Sequence, residues 1–549
     1  VAIIVGATAV IVALASGRPS PSIAVGYMPT DTVSYSEYRL DLPGDQRAKM
    51  AAFLGKFPGF ADPSTMQKKL YEVFDRILRA ASKDKQTYTA NIEPWFGGQI
   101  AMGSGPIARP TQTSTGASPL GNSGLFVVTV KDKTKATDWL KLTIGNSLTE
   151  TAYNGTTIYG IGGGGADAGF SVIVTDKVML LGTDTAVRAA FDSNGAGKLA
   201  DNAEFKAAFG TVSRDYVSFS YTGVRGLLQS IVSMAGAGSG LDKTTVDDEL
   251  LSMVPAWEAS TLRFENDALV GDAAYPRIDI GYDAKNKRSS LIGHAPPGTI
   301  FYAESHDIGP ALNALIGRLR KLPDLREPFK QIDAAVGVAG GFDGLFGWWG
   351  DAAVAVSKGA DGSIGGGLLI QPTDAAAAKR TFDTLRSFLV LAGGNSGITL
   401  KDVAHGDATI TVIDFSAAAQ SSGRLPAGVK AEIAYTVTND VVVIGYGEAF
   451  VAAVLDAGPG PSLADDSRVV DLVKRVGQDN IGLAFVDVRA IRDLVEPLVK
   501  NLAPADKWAY YEKEIRPYLL PFDAFVSAAR VDGDLDRLTQ LVTVTQPGN

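Results

Sequence analysis

Between Ser171 and Phe191 the chain reads SVIVTDKVMLLGTDTAVRAAF: an apolar run, a short polar break, a second apolar run, then apolar residues at helical spacing. That order predicts strand, tight turn, strand and helix. It returns between Tyr435 and Val454 as YTVTNDVVVIGYGEAFVAAV. Thr175 falls on Thr438 and Gly182 on Gly445 at one common offset, a predicted turn and a predicted tight bend in each stretch. The two stretches serve as register marks for the rest of the chain.

The matching extends on both sides. Pro29, Thr32, Tyr35 and Glu37 correspond to Pro296, Thr299, Tyr302 and Glu304, each set predicting a proline turn that feeds a strand. Helical spacing over Arg47–Phe57 and Met66–Ala81 puts Leu70, Val73, Phe74, Ile77 and Leu78 on one face, and Ile308–Leu322 with Leu325–Val338 is its counterpart. Trp95-Phe96-Gly97-Gly98 precedes a predicted strand at Gln99–Met102, as Trp348-Trp349-Gly350-Asp351 precedes one at Ala352–Val356. A strand at Leu125–Val130 and a helix at Lys131–Leu142 answer to Leu368–Gln371 and Thr373–Leu391, with Asp132 and Asp374 as N-caps. Asn154-Gly155 and Gly406-Asp407 mark hairpin turns. Further along, Leu199–Asp201 matches Leu463–Asp465, Asp215–Ser220 matches Asp479–Ala484, and Val224-Arg225 matches Val488-Arg489. Closing hairpins are expected at Ala259–Ala274 and Ala524–Thr545.

Hairpins alternating with long crossovers predict an α+β fold: two tandem homologous domains with mainly antiparallel sheets covered by helices, not a doubly wound parallel sheet. A repeat of about 265 residues is too long for a solenoid and fits tandem domains. The polar stretch Asp283–Ser290 is the expected link, giving a first domain over 23–287 and a second over 288–549. Ahead of them, Val1–Ala15 is uncharged and apolar except for Thr8. As a helix it spans roughly 22 Å, short of the ~30 Å hydrocarbon core. A few more apolar residues and a basic flank before Val1 would complete a transmembrane signal-anchor over 1–17, followed by a Pro/Ser stalk over 18–22. The rival is a signal peptide cleaved after Ala13-Leu14-Ala15. Either places the bulk of the chain outside the cytoplasm.

Composition removes several chemistries. The 549 residues include no cysteine and three histidines, His294, His306 and His405. Thiolate metal sites, disulfides and cysteine nucleophiles are therefore excluded. A net charge of -9 argues against a nucleic-acid partner, which calls for a basic face. Gly162–Gly165 lies between strands and reads as a hairpin loop, not a phosphate loop. Asp532-Gly533-Asp534-Leu535-Asp536 has Arg537 where a calcium loop needs glycine and reads as a hairpin turn. Asp247-Asp248-Glu249 is an acidic cluster at a predicted helix start. No histidine has a second at metal-ligand spacing, and His294 and His306 read as surface or half-buried structural residues without counterparts in the first copy.

Two recurring features remain as candidate interaction or structural motifs. Glu37 and Glu304 are a duplicated carboxylate pair, each two residues after a strand tyrosine. The aromatic pairs Trp95-Phe96 and Trp348-Trp349 recur at matching places and are expected to pack helices onto the sheet. A lipid or carbohydrate platform would need those rings exposed.

Tyr27-Met28-Pro29-Thr30-Asp31-Thr32, Lys56-Phe57-Pro58-Gly59-Phe60, Ile92-Glu93-Pro94-Trp95-Phe96-Gly97 and the strand–turn–strand of Val172–Gly182 together resemble a bacterial family of membrane-anchored proteins known as domain of unknown function 3352. The resemblance covers most of the chain after the apolar start. The second copy departs from it, lacking Lys-Phe-Pro-Gly-Phe and the Glu-Pro before Trp348. It implies an anchored extracytoplasmic domain and assigns no catalytic residues. With no convergent set of ionisable residues legible, the expectation is a non-enzymatic, single-pass protein of the cell membrane. It would be an accessory subunit of an envelope or membrane complex, held by its N-terminal helix and by contacts with other envelope proteins or with itself. No cofactor is expected. The alternatives are a lipid or hydrophobic-ligand binding module and an uncharacterised envelope enzyme.

Overall fold

The computed structural model describes residues 22–62, 64–105, 124–161, 170–239, 248–322, 325–337, 340–393, 397–421 and 430–546. The apolar start, most of the stalk, the Ala108–Asn122 loop, the four-glycine run and Asp247 lie outside them. Among the described residues no helix is long and apolar enough to cross a membrane. The chain divides into two compact units. One runs to Ile278 and includes Lys513–Pro521; the other comprises Asp279–Glu512 and Phe522–Thr543.

The first unit holds strands β1 (Ser34–Arg39), β2 (Phe96–Ser104), β3 (Leu125–Val130), β4 (Leu148–Tyr153), β5 (Thr156–Ile161), β6 (Phe170–Val174), β7 (Val178–Thr183), β8 (Ser218–Thr222), β9 (Glu258–Phe264) and β10 (Ala268–Pro276). Their order across the sheet is β4-β5-β6-β7-β3-β2-β1-β8-β9-β10, antiparallel at every step. The second unit holds β11 (Thr299–Ser305), β12 (Trp349–Lys358), β13 (Ile364–Pro372), β14 (Thr399–His405), β15 (Ala408–Asp414), β16 (Glu432–Val437), β17 (Val442–Tyr446), β18 (Gly482–Asp487), β19 (Phe522–Asp532) and β20 (Leu535–Val544). Here the order is β14-β15-β16-β17-β13-β12-β11-β18-β19-β20. Each unit is thus a mixed helix and antiparallel-sheet structure in which the hairpins stay local and the helices fill the long crossovers.

Local chemistry explains the joints. Thr175 Oγ1 accepts from the Val178 amide at 2.9 Å and donates to its carbonyl at 3.0 Å, closing the β6–β7 turn. Thr438 does the same with Val441 at 3.0 and 2.8 Å between β16 and β17. A threonine hydroxyl that holds both backbone groups of the turn fixes the register of the hairpin. Asp132 accepts from the Lys135 amide and Asp374 from the Ala377 amide, so both are N-caps. Gly533, at φ +61°, turns β19 into β20, and the carboxylates around it belong to a hairpin.

Gly182 and Gly445 require a correction. Both lie within strands, β7 and β17, and neither makes a bend. Glycine is needed there for close approach. A Cβ at Gly182 would sit 2.2 Å from the Gly124 carbonyl oxygen, and one at Gly445 would sit 2.5 Å from the Phe450 ring.

The cores form where helix stripes meet the sheets. In the first unit the helix Met66–Ser82 buries Met66, Leu70, Phe74 and Leu78, one face of a period-3.6 pattern. They pack with Tyr88, Trp95, Phe96 and Val172. In the second, Trp348, Phe382, Tyr435 and Val442 form the equivalent cluster.

Candidate functional site

Glu37 and Glu304 are buried in the middle of their sheets, at 1% and 5% exposure. Each is an inward position on a central strand, reached because side chains alternate faces and Tyr35 and Tyr302, two residues earlier, share the same face. The tyrosine hydroxyl donates to Glu37 Oε2 at 2.6 Å in one unit and to Glu304 Oε2 at 2.7 Å in the other. A serine fifteen residues upstream supplies a second donor: Ser22 to Glu37 and Ser289 to Glu304, both onto that same Oε2. In both carboxylates the other oxygen, Oε1, accepts no hydrogen bond. Burial pushes both carboxyls above their ordinary range, against the two hydroxyls that pull them down.

What faces each carboxylate differs. In the first unit Arg39 follows Glu37 on β1 and pairs across to Gln99 on β2. Its guanidinium binds Asp41 with two nitrogens, Nε at 3.1 Å and Nη2 at 3.0 Å, and its charge draws the Glu37 carboxyl downward. Gln99 Nε2 donates to the same Asp41 at 2.9 Å and its Oε1 accepts from the Ile23 amide at 2.8 Å. In the second unit the corresponding positions are His306 and Asp351. Ser305 pairs with Ala352, so His306 and Asp351 face one another just past the end of β11. His306 Nδ1 lies 2.8 Å from Asp351 Oδ2 and 3.7 Å from Glu304 Oε1. The Asp307 amide and the Lys287 ammonium both donate to Asp351 Oδ1, at 2.9 and 2.6 Å. Burial alone would raise the Asp351 carboxyl; hydrogen bonds from His306 and Lys287 outweigh it and hold it at about 2.

Sequence reasoning found Glu37 and Glu304 and missed their surroundings. Ser22 and Ser289 share one spacing to the glutamate, which was a usable signal. The sequence suggests a surface or half-buried place for His306; it is instead buried at 6% exposure, because Asp351 arrives from the neighbouring strand to receive it. His294 is half-buried, and His405 pairs with Asp456 at 2.7 Å on the surface.

The aromatic candidates sit elsewhere. Trp95, Phe96 and Trp348 are buried and Trp349 is half-buried. Trp95 stacks near Trp139 at 5.0 Å and donates to the Asn91 carbonyl at 2.7 Å, and Trp348 meets Phe382 at 6.2 Å. These rings hold helices to the sheet, and three of the four present no open platform.

The fold is that of an α+β protein built on antiparallel sheets, with a buried carboxylate clamped by two hydroxyls in each unit. The chain belongs to the family described as protein of unknown function DUF3352, which matches residues 50–510. No curated protein matches it. Among solved structures it is similar to TP0453 in crystal form III, at 6% identity and a TM-score of 0.23, covering 47% of this chain and 81% of that one. Crystal form I gives 5% identity and a TM-score of 0.22, with 47% and 80% covered.

Proposed function

We propose that this chain is a membrane-anchored, extracytoplasmic interaction protein without catalytic activity, formed by duplication of one α+β module. Duplication is supported by the matched strand orders, by the Thr175 and Thr438 turns, and by the paired Ser–Tyr–Glu clamps. The observation that carries the interaction reading is the helix Val488–Leu502. Val495, Leu498, Val499 and Leu502 fall at i, i+3, i+4 and i+7 and are 43%, 60%, 45% and 86% exposed. That spacing is the stripe an amphipathic helix buries against a neighbour, and a continuous exposed apolar stripe marks a surface used for contact. The helix Ala375–Gly393 adds Leu385, Phe388 and Leu391 at 43%, 48% and 83%. The partner this fits is another envelope or membrane protein with an apolar face.

The test is extraction of the full chain from its native membrane in mild detergent. A protein present in stoichiometric amount should co-purify, and the double variant Leu498→Glu, Leu502→Glu should release it while leaving the circular-dichroism spectrum unchanged. A full chain that runs alone, or one that carries lipid and no protein, overturns the reading.

A further inference from the structure

The geometry points to a divalent-cation site in the second unit, with Glu304 Oε1, His306 Nδ1 and Asp351 Oδ2 as its protein ligands. This inference stands apart from the interaction surface. The three ligand atoms lie within 4.8 Å of one another, and all three residues are buried. One imidazole nitrogen with two carboxylate oxygens is a donor set for zinc or manganese rather than calcium, which takes six or more oxygens.

Two features separate this cluster from an ordinary buried ion pair. The first is Glu304. Its side chain has no solvent exposure, its Oε2 takes both the Ser289 and Tyr302 hydroxyls, and its Oε1 is left without a hydrogen bond on the side facing His306. A buried acceptor left unmade is destabilising, and a cation between Oε1 and Nδ1 removes that cost. The second is Asp351. The Asp307 amide and Lys287 hold its Oδ1, which leaves Oδ2 turned toward the imidazole. Supporting hydrogen bonds of this kind orient metal ligands.

The first unit supplies the contrast. Glu37 has the same free Oε1, but Arg39 stands where His306 stands and Gln99 where Asp351 stands. A guanidinium carries its own fixed positive charge and no lone pair for a metal. The first unit therefore sets a fixed cation two residues after its glutamate, whereas at that place the second unit sets an imidazole, with Lys287 held on the far oxygen of Asp351.

The experiment uses the full chain in detergent, stripped with a chelator, dialysed against Zn2+ or Mn2+ alone, and analysed for retained metal. One ion per chain is expected. Asp351→Asn and His306→Gln each remove a ligand atom and should weaken retention by at least the roughly 10–100-fold that loss of a ligand's supporting partner costs. His405→Ala and His294→Ala should leave it unchanged. Because the first two variants could lose metal by losing structure, X-ray absorption on the unaltered protein with Zn2+ provides an independent reading. It should show a single imidazole nitrogen with oxygen ligands at about 2.0–2.2 Å. No retained ion, retention that survives both ligand variants, or a shell without imidazole each overturns the site, and the cluster is then a buried hydrogen-bonded contact between His306 and Asp351.

Discussion

At Glu37 the next inward residue along the strand is Arg39; at Glu304 it is His306. The two carboxylates are otherwise held alike, each by a strand tyrosine and an upstream serine on one oxygen. The hydroxyl clamp is thus the part of the arrangement both units keep, and the compensating charge is the part that varies. A carboxylate this deep can be satisfied on one side by neutral donors, because hydroxyls fit inside a sheet without a solvation shell of their own. The other side requires a positive group, and its chemistry is free to differ.

The largest expected effect that sharpens this comparison is in the first unit. Arg39→Met removes the guanidinium from a position 5% exposed and leaves Asp41 without its salt bridge. Breaking a buried pair from one side costs about 3–5 kcal/mol. Hydrogen exchange followed by mass spectrometry should show lost protection across β1 and β2 and none across β11 and β12. Protection unchanged in β1 would mean that Arg39 is not the compensating charge.

Tyr35→Phe and Tyr302→Phe should follow, at about 1.5–3 kcal/mol each, the range for a hydrogen bond to a charged group. The comparison predicts equal losses, read as equal drops in exchange protection of β1 and β11. A twofold difference would break the claim that the clamp is the common part.

The smallest effect is one of pH. The native Glu37 carboxyl titrates above its ordinary 4.5, so the folded chain holds that proton more tightly than the unfolded one. Its contribution is complete below pH 4.5 and is lost as pH rises through the native value. Against Glu37→Gln, the unaltered protein should lose relative stability as pH rises from 4.5 through the raised native value. A pH-independent difference in melting temperature would count against a raised carboxyl.

Much of this fold could be read from residue order. Alternation and turn chemistry placed the strands, and Thr175, Thr438, Asp132 and Asp374 do what their positions suggest. The strand β4 is implied by the Asn154-Gly155 turn and not by its own residues, because LTETAY is polar and mostly exposed, leaving no apolar alternation to detect. Gly182 was misread as a bend because sequence shows a missing side chain and not what fills its place, here the Gly124 carbonyl. The candidate site was half legible. Tyr35-x-Glu37 and Tyr302-x-Glu304 are local and were visible. Arg39–Asp41 and His306–Asp351 depend on which strand lies alongside and in what register, and a period-2 pattern does not carry that information.

The segment that leads into β1 has a mechanical consequence. Ser22 is tied to Glu37, the Ile23 amide to Gln99 on β2, the Gly197 amide to the Gly26 carbonyl, and the Leu199 amide to the Met28 carbonyl. β1 itself is bonded on both flanks, to β2 and β8. Tension applied at Ser22 is therefore shared among three separate parts of the first unit before any of it reaches the end of the strand. To peel β1 away, such a pull must first drag a hydroxyl off a carboxylate that water does not reach, which makes this lead-in a strain relief for whatever load arrives from upstream.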